Sequence, residues 1–220
     1  MDSVPNPWFS WDYIANNWGE VSEQLVIHTT LTVQAVLIAV LIAAPLGVLA
    51  RRVKWLTGPI VGTAGVLYTI PSFALFALLA PFTGIGRTTV LIGLVAYALL
   101  VLVRNLVVGL QGVDRDVVDA ARGQGLTERQ LLWRVELPLA LPSIVAGLRI
   151  ATVTTVALVT VGVVVGYGGL GQLMFRGLGS NYRAQIMTAT LLCLALALIF
   201  DLLLMLIGRA LTPWTQRRPT

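Results

Sequence analysis

The stretch QGVDRDVVDAARGQGLTERQLLWRVELP, residues 111–138, is a polar island in a chain that is otherwise apolar. Long apolar runs flank it on both sides. The 220-residue chain is 57% hydrophobic and 11% charged, with a mean hydropathy of +0.85, whereas a soluble domain carries about 25% charged residues. So few charges cannot cover a water-facing surface. The composition therefore predicts a membrane protein whose polar island meets a soluble partner.

Five apolar stretches are long enough to cross a bilayer as helices, which takes about 20 residues each. Backbone groups in lipid must be satisfied within their own segment, so helices are expected even where β-branched residues abound. We expect bends at Pro45 and Pro71, because proline removes an internal hydrogen bond. The sequence predicts an all-α, polytopic fold with five transmembrane helices, at about 25–49, 59–81, 88–110, 140–165 and 185–208.

The basic residues predict the orientation. With the N-terminus outside, ten of them fall on the inner side and three on the outer side, and two lie within spans. The inner set is Arg51, Arg52, Lys54, Arg115, Arg122, Arg129, Arg134, Arg209, Arg217 and Arg218, the outer set is Arg87, Arg176 and Arg183, and the other two are Arg104 and Arg149. Because cytoplasmic loops are enriched in Lys and Arg, the N-terminus is predicted outside and the C-terminus in the cytoplasm.

This orientation divides the chain into three parts. Residues 1–24 form an extracytoplasmic tail without Lys or Arg, so no cleavable signal peptide is expected. Residues 25–208 form the membrane domain with its cytoplasmic loop at 111–138, and residues 209–220 form a cytoplasmic tail. The pI near 10 does not indicate nucleic-acid binding, because the basic residues sit in short clusters between apolar runs.

The polar island carries the signals of two short helices with a tight bend. Asp114 can cap a first helix that runs to about Gln124, and Gly125 is free to take a left-handed turn. Thr127 with Gln130 three positions later matches a capping box for a second helix.

We expect Pro138 and Pro142 to end that second helix and to start the next span. Two small helices on the membrane surface would form a knob that fits a groove of a partner. The alternative from the residues alone is a solvated loop between two spans.

Residues 119–138 resemble the EAA loop of binding-protein-dependent ABC importer permeases. That pattern reads Glu-Ala-Ala, three residues, Gly, nine residues, Ile, one residue, Leu-Pro. This chain has Asp119-Ala120-Ala121, then Gly125, then Val135, then Leu137-Pro138 at the same spacing. Aspartate replaces glutamate and valine replaces isoleucine, which keeps the charge and the apolar shape.

The resemblance covers about residues 24–208 and is greatest to the osmoprotectant branch, which carries glycine betaine, carnitine, choline or proline betaine. Tyr167 replaces an alanine that is frequent in that branch. The segments that resemble it are LYTIPSFALFALL (67–79), GIGRTTVLIGLVAYALL (84–100), RNLVVGLQGVD (104–114) and GYGGLGQLMFRGL (166–178).

The resemblance implies the type I (MetI-like) permease fold in a bacterial plasma membrane. It also implies a transport subunit without catalytic activity, whose EAA loop docks into a dimer of cytoplasmic ABC ATPases. The other implied partners are a second permease subunit, the same chain or a paralogue, and an extracytoplasmic solute-binding protein. The chain has no phosphate-binding loop with lysine, so ATP is expected on the ATPase and no cofactor on this chain. The coupling residues implied are Asp119, Ala120, Ala121, Arg122, Gly125, Glu128, Leu137 and Pro138.

Three charged residues fall at similar depths within predicted spans. An intramembrane carboxylate is costly unless it is paired, so we expect Asp201 to pair with Arg149, Arg104 or both. This cluster is interpreted either as structural or as part of a gate.

The glycines Gly166, Gly168, Gly169 and Gly171 match the letters of a dinucleotide fingerprint. No strand precedes them, so a sharp turn at the outer mouth is the preferred interpretation. His28 stands without nearby metal ligands, and we expect a hydrogen-bonded residue at a helix start.

Three alternative functions remain open. The chain could be the permease of a methionine-type or other small-solute importer. A membrane enzyme would need a catalytic constellation, and the sequence offers none. An autonomous channel or ion-coupled carrier would use Asp201 as its ion site.

Overall fold

The computed structural model describes residues 6–216, apart from the side chains of Lys54, Thr215 and Gln216. Residues 1–5 of the predicted extracytoplasmic tail lie outside the described residues, as do Arg217 and Arg218 of the predicted cytoplasmic tail. The described part is helical and contains no strand. Its α-helices are α1 (Trp11–Asn16), α2 (Trp18–Arg52), α3 (Lys54–Thr69), α4 (Ser72–Thr83), α5 (Arg87–Gln111), α6 (Arg115–Gly123), α7 (Glu128–Leu131), α8 (Leu137–Val161), α9 (Leu170–Gly179) and α10 (Arg183–Leu211).

Four helical segments of the described chain are long and apolar enough to span a membrane. A fifth span results if the bent pair α3 and α4 is counted as one. The predicted all-α fold with up to five spans is therefore confirmed, although the helices extend beyond the predicted ranges. The four segments are Trp18–Arg52, Arg87–Gln111, Glu128–Val165 and Arg183–Leu211.

The second predicted span, 59–81, is not a single straight helix. Its two halves, α3 and α4, meet at 97°. Ile70 and Pro71 have extended ψ angles of 125° and 135°, because a residue before proline avoids the helical conformation and proline cannot continue the hydrogen-bond ladder. The bend expected at Pro71 is confirmed. Pro45 lies inside helix α2, which continues past it, and the bend expected there stays a prediction.

The expectation that Pro138 and Pro142 end a helix is wrong. From Glu128 the chain stays helical through a π-helical segment, Leu132–Glu136, into α8 and a 3₁₀ turn, Gly162–Val165. In the π segment the Leu137 N–H donates to the Leu132 carbonyl, five residues back. This wider turn makes room for the Pro138 ring, which would otherwise press on the preceding turn.

Helix α5 is the centre of the bundle and packs against α2, α8, α3 and α4, whereas α10 packs mainly against α8 and α9. Small side chains dominate the contact of α2, α5 and α8, where Ala39, Ala98 and Ala151 share one buried cluster. Gly147 of α8 lies so close to Asn105 of α5 that a Cβ would come within 2.8 Å of the Asn105 Cγ. Small residues let helix backbones approach closely, which is the usual source of association between helices in lipid.

Candidate functional site

The polar island folds as its capping residues predict. The Asp114 side chain accepts a hydrogen bond from the Asp116 N–H at 2.9 Å and caps α6. Thr127 and Gln130 form a reciprocal capping box at the start of α7, in which the Gln130 Oε1 accepts from the Thr127 N–H at 2.8 Å. These local bonds satisfy N–H groups that a helix start leaves without partners.

Gly125 makes the bend between the two short helices. Its φ angle is +85°, in the left-handed region, and a Cβ built on it would meet no atom within 4 Å. The position is therefore restricted by its backbone conformation and not by space. A side chain with a branched Cβ would strain this turn.

A chain of ion pairs connects the loop. The Arg122 guanidinium donates to Asp119 Oδ1 at 2.9 Å and to Glu128 Oε1 at 3.0 Å. Arg51, near the end of α2, donates to Glu128 Oε2 at 3.2 Å and to Glu136 Oε1 at 3.0 Å. We call these five residues the loop network. The hydrogen bond from Arg122 holds the pKa of the Glu128 carboxyl below its usual range.

Sequence reasoning missed two members of the loop network, Arg51 and Glu136. They are separated by 85 positions, so neither spacing nor periodicity connects them. The signal that could have found Glu136 was its place between Val135 and Leu137, where a carboxylate enters an apolar run. The structure buries Glu136, which is 7% exposed.

The other predicted coupling residues differ in their exposure. Ala120 and Gly125 are exposed, whereas Ala121, Leu137 and Pro138 are half-buried. An open cleft of about 1330 Å³ lies among the ends of α2 and α5, the loop helices and the π segment. Five arginines and three carboxylates line it. They are Arg51, Arg52, Arg115, Arg122, Arg129, Asp119, Glu128 and Glu136.

Of the predicted intramembrane cluster, the structure brings two residues together. The Arg149 guanidinium of α8 holds the Asp201 carboxylate of α10 by two hydrogen bonds. Arg104 of α5 is exposed and has no ion pair in the described part of the chain. The pair lines a groove of about 650 Å³ between α8 and α10.

The predicted glycine turn follows α8. Gly166 and Gly169 have φ angles of +77° and +53°, which reverse the chain into α9. Gly168 and Gly171 are needed for close approach, because a Cβ on Gly171 would lie 2.6 Å from the Thr160 Cα and one on Gly168 would lie 2.6 Å from the Val163 nitrogen. The turn therefore packs directly on the last turns of α8.

His28 joins three elements and does not start a helix, since it lies within α2. It is fully buried. Its Nε2 is 3.0 Å from the Val156 carbonyl of α8, and its Nδ1 accepts from the Leu170 N–H at 3.3 Å, where α9 begins. The described residues contain no group of His, Cys, Asp and Glu that could hold a metal ion.

Comparisons with known proteins agree with this architecture. Residues 24–217 match the family model described as "Binding-protein-dependent transport system inner membrane component". The inward-facing MetNI methionine ABC transporter has a chain with a TM-score of 0.74 and 25% identity, over 93% of this chain and 100% of that one.

Several curated relatives carry osmoprotectant names. The choline transport permease OpuBB of Bacillus subtilis is 34% identical over 94% of this chain and 95% of the relative. The osmoprotectant import permease OsmW of Salmonella typhimurium is 40% identical, over 91% of this chain and 96% of the relative. The chain therefore belongs to the family of binding-protein-dependent transport system inner membrane components, as a permease subunit of an ABC importer.

Proposed function

We propose that this chain is the permease subunit of an ATP-driven importer for small quaternary-amine osmoprotectants, such as glycine betaine, carnitine, choline or proline betaine. The substrate class rests on the relatives, among them the glycine betaine/carnitine/choline permease OpuCD of Bacillus subtilis, 35% identical over 94% of this chain and 90% of the relative. The observation that carries the coupling role is the folded loop at 111–138, with its caps, its left-handed Gly125 and its exposed ionic surface.

The proposed mechanism uses the loop as the input from the ATPase. ATP binding favours one of two permease states, because the closed ATPase dimer contacts the loop differently in each of them. Asp119, Ala120, Ala121 and Gly125 are exposed or half-exposed on α6 and its turn, where a soluble partner can reach them. The continuous helix from Glu128 to Val165 then carries the movement of the loop into the membrane.

The loop and the C-terminus face the cytoplasm in this proposal, and the N-terminus faces outside. The excess of basic residues on the loop side supports that orientation. The partners are two ATPase subunits, a second permease copy or paralogue and a solute-binding protein on the outer side. The second permease is included because five spans enclose little pathway, and α10, with 11% of its apolar window buried, leaves surface that a second subunit or lipid can cover.

The test is uptake into proteoliposomes that contain the complete importer, with ATP enclosed on the ATPase side and the binding protein on the other. Labelled glycine betaine, carnitine, choline and methionine are supplied separately. We expect ATP-dependent uptake of one or more quaternary amines and none of methionine. Uptake of methionine alone would replace this proposal with the methionine-type importer, which the MetNI structural match also fits.

A second experiment distinguishes an ATP-driven importer from an autonomous carrier. The purified permease alone is reconstituted with an ion gradient in place of ATP. Transport under that condition would favour an ion-coupled carrier with Asp201 as its ion site. We expect transport only after the ATPase is added.

A further inference from the structure

Arg51 connects α2 to the loop at three carboxylate oxygens. Its guanidinium contacts both Glu136 oxygens, through Nη2 and Nε, and the Glu128 Oε2 through Nη2. The side chains of Arg51 and Glu136 are only 13% and 9% exposed, whereas that of Glu128 is 61% exposed. The pair of Arg51 and Glu136 is thus a buried anchor, and Glu128 is its exposed extension.

Removal of the Arg51 side chain would leave Glu136 as a buried carboxylate without its cation, which is energetically costly. It occupies the last position of the π segment, and its neighbours Leu132 and Ala140 belong to a buried apolar cluster. A buried carboxylate that loses its cation either takes up a proton or moves toward water. Either change disturbs the junction between the loop and α8.

The anchor is the main polar link between α2 and the loop. Among the described elements, α2 has no extensive backbone packing against α6, α7 or the π segment. Val48 adds an apolar contact with the cluster around Leu132. On the far side of Glu128, Arg122 continues the ion pairs to Asp119 on α6. Arg51 therefore ties the end of α2 to α7 and the π segment, and Arg122 extends these ion pairs to α6.

From this geometry we infer that Arg51 is a positioning residue for energy coupling. Movement of the loop reaches the bundle by two routes, along the continuous helix into α8 and sideways through Arg51 into α2. The inference rests on the proposed function, since it assumes that the loop receives the movement of an ATPase. Without the contact through Arg51, the ATPase would move α8 but not α2. ATP hydrolysis would then continue with less transport.

The test compares Arg51→Gln, Arg51→Lys and the control Arg52→Gln in the complete importer in proteoliposomes. Arg52 is the next residue, is exposed and has no ion pair among the described side chains. The readout is solute transported per ATP hydrolysed. We expect Arg51→Gln to lower this ratio about tenfold, Arg51→Lys to restore part of it, and Arg52→Gln to keep the wild-type ratio.

A fourth variant distinguishes a loss of coupling from misfolding. Arg51→Gln leaves Glu136 unpaired, whereas the double variant Arg51→Gln/Glu136→Gln removes both charges and should assemble. A lowered ratio in the assembled double variant supports the inference, and a wild-type ratio overturns it. If the wild-type importer itself shows no ATP-dependent transport, the proposed function fails first, so the two failures are distinguishable.

Discussion

Arg149 of α8 donates two parallel hydrogen bonds to Asp201 of α10, at 2.8 Å from Nε and at 2.7 Å from Nη2. The two side chains are 34% and 31% exposed, so the pair is not enclosed by this chain alone. A planar guanidinium matches a carboxylate in this two-point geometry, which fixes the orientation of both helices. The pair is a two-point polar contact between α8 and α10.

We predict that charge reversal at either residue lowers the thermal stability of the purified protein, because each single change places two like charges opposite each other. The double variant Arg149→Asp/Asp201→Arg restores the attraction and should recover most of the loss. The measurement is the midpoint of thermal unfolding in detergent. Arg104→Asp serves as the control, since Arg104 is exposed and has no ion pair in the described residues. Equal losses of thermal stability in Arg149→Asp, Asp201→Arg and Arg104→Asp would contradict a direct interaction of the pair.

Gly125→Val should preserve membrane insertion but abolish transport and solute-stimulated ATPase activity. The reason is the φ angle of +85°, where a β-branched residue costs about 2 kcal/mol or more. Uptake assays and ATPase assays on the complete importer provide the measurement. The matched control is Gly123→Val, because Gly123 ends α6 in a helical conformation and its Cβ would also meet open space. Normal uptake by the Gly125 variant would remove this residue from the coupling set.

His28 offers two variants that separate its two hydrogen bonds. The Asn amide can reproduce the Nδ1 contact with the Leu170 N–H, and the Gln amide can reproduce the Nε2 contact with the Val156 carbonyl. We expect His28→Ala to lower the free energy of unfolding by about 2–4 kcal/mol, since it leaves a cavity and an unpaired Leu170 N–H. His28→Asn and His28→Gln should each lose less.

The measurement for the His28 series is the thermal unfolding midpoint, with Thr30→Val as the control. Thr30 lies on the exposed side of the same helix and bonds only to carbonyls of its own turn. An Ala variant as stable as the Thr30 control would contradict the role of His28 as a three-way contact.

Gly171→Ala should separate α9 from the end of α8. Its Cβ would lie 2.6 Å from the Thr160 Cα, so the backbone itself must move. We expect a lower unfolding midpoint and weaker stimulation of the ATPase by the binding protein, because the turn lies on the proposed outer face. Gly179→Ala at the end of α9 meets no atom within 4 Å and should behave like wild type. Similar behaviour of both variants would argue against a tight turn.

The proposed orientation can be tested by labelling single cysteines in intact cells. In a Cys193→Ala background, Gly19→Cys should react with a membrane-impermeant maleimide and Gly123→Cys should not, until the membrane is permeabilised. Both glycines are exposed and have open space for a side chain. The reverse pattern would place the loop outside and exclude its contact with a cytoplasmic ATPase.

Contacts between near neighbours in the sequence were predictable, and distant ones were not. The Asp114 cap and the box of Thr127 and Gln130 join residues two or three positions apart, so spacing alone indicates them. The pair of Arg149 and Asp201 was a hypothesis because charge in lipid requires a partner. That argument could not choose between Arg149 and Arg104, a choice that helix rotation decides.

The features that could not be predicted from the sequence depend on how the helices pack. Pro71 indicated a bend, but the 97° angle depends on how α3 and α4 pack against α5. Pro138 suggested a helix end, yet the π segment before it accommodates the ring within a continuous helix. His28 was expected at a helix start because the apolar run begins near residue 25, whereas the polar first turns of α2 start at Trp18.

The unbroken helix from Glu128 to Val165 has a mechanical consequence. Its 38 residues extend about 57 Å, nearly twice the hydrocarbon thickness of about 30 Å. If it tilted as a rigid body by about 5° around its midpoint, its two ends would move by about 2.5 Å in opposite directions. In the proposed importer, such a tilt would displace the loop at one end and the glycine turn at the other together, so that opening one face and closing the other would be a single movement.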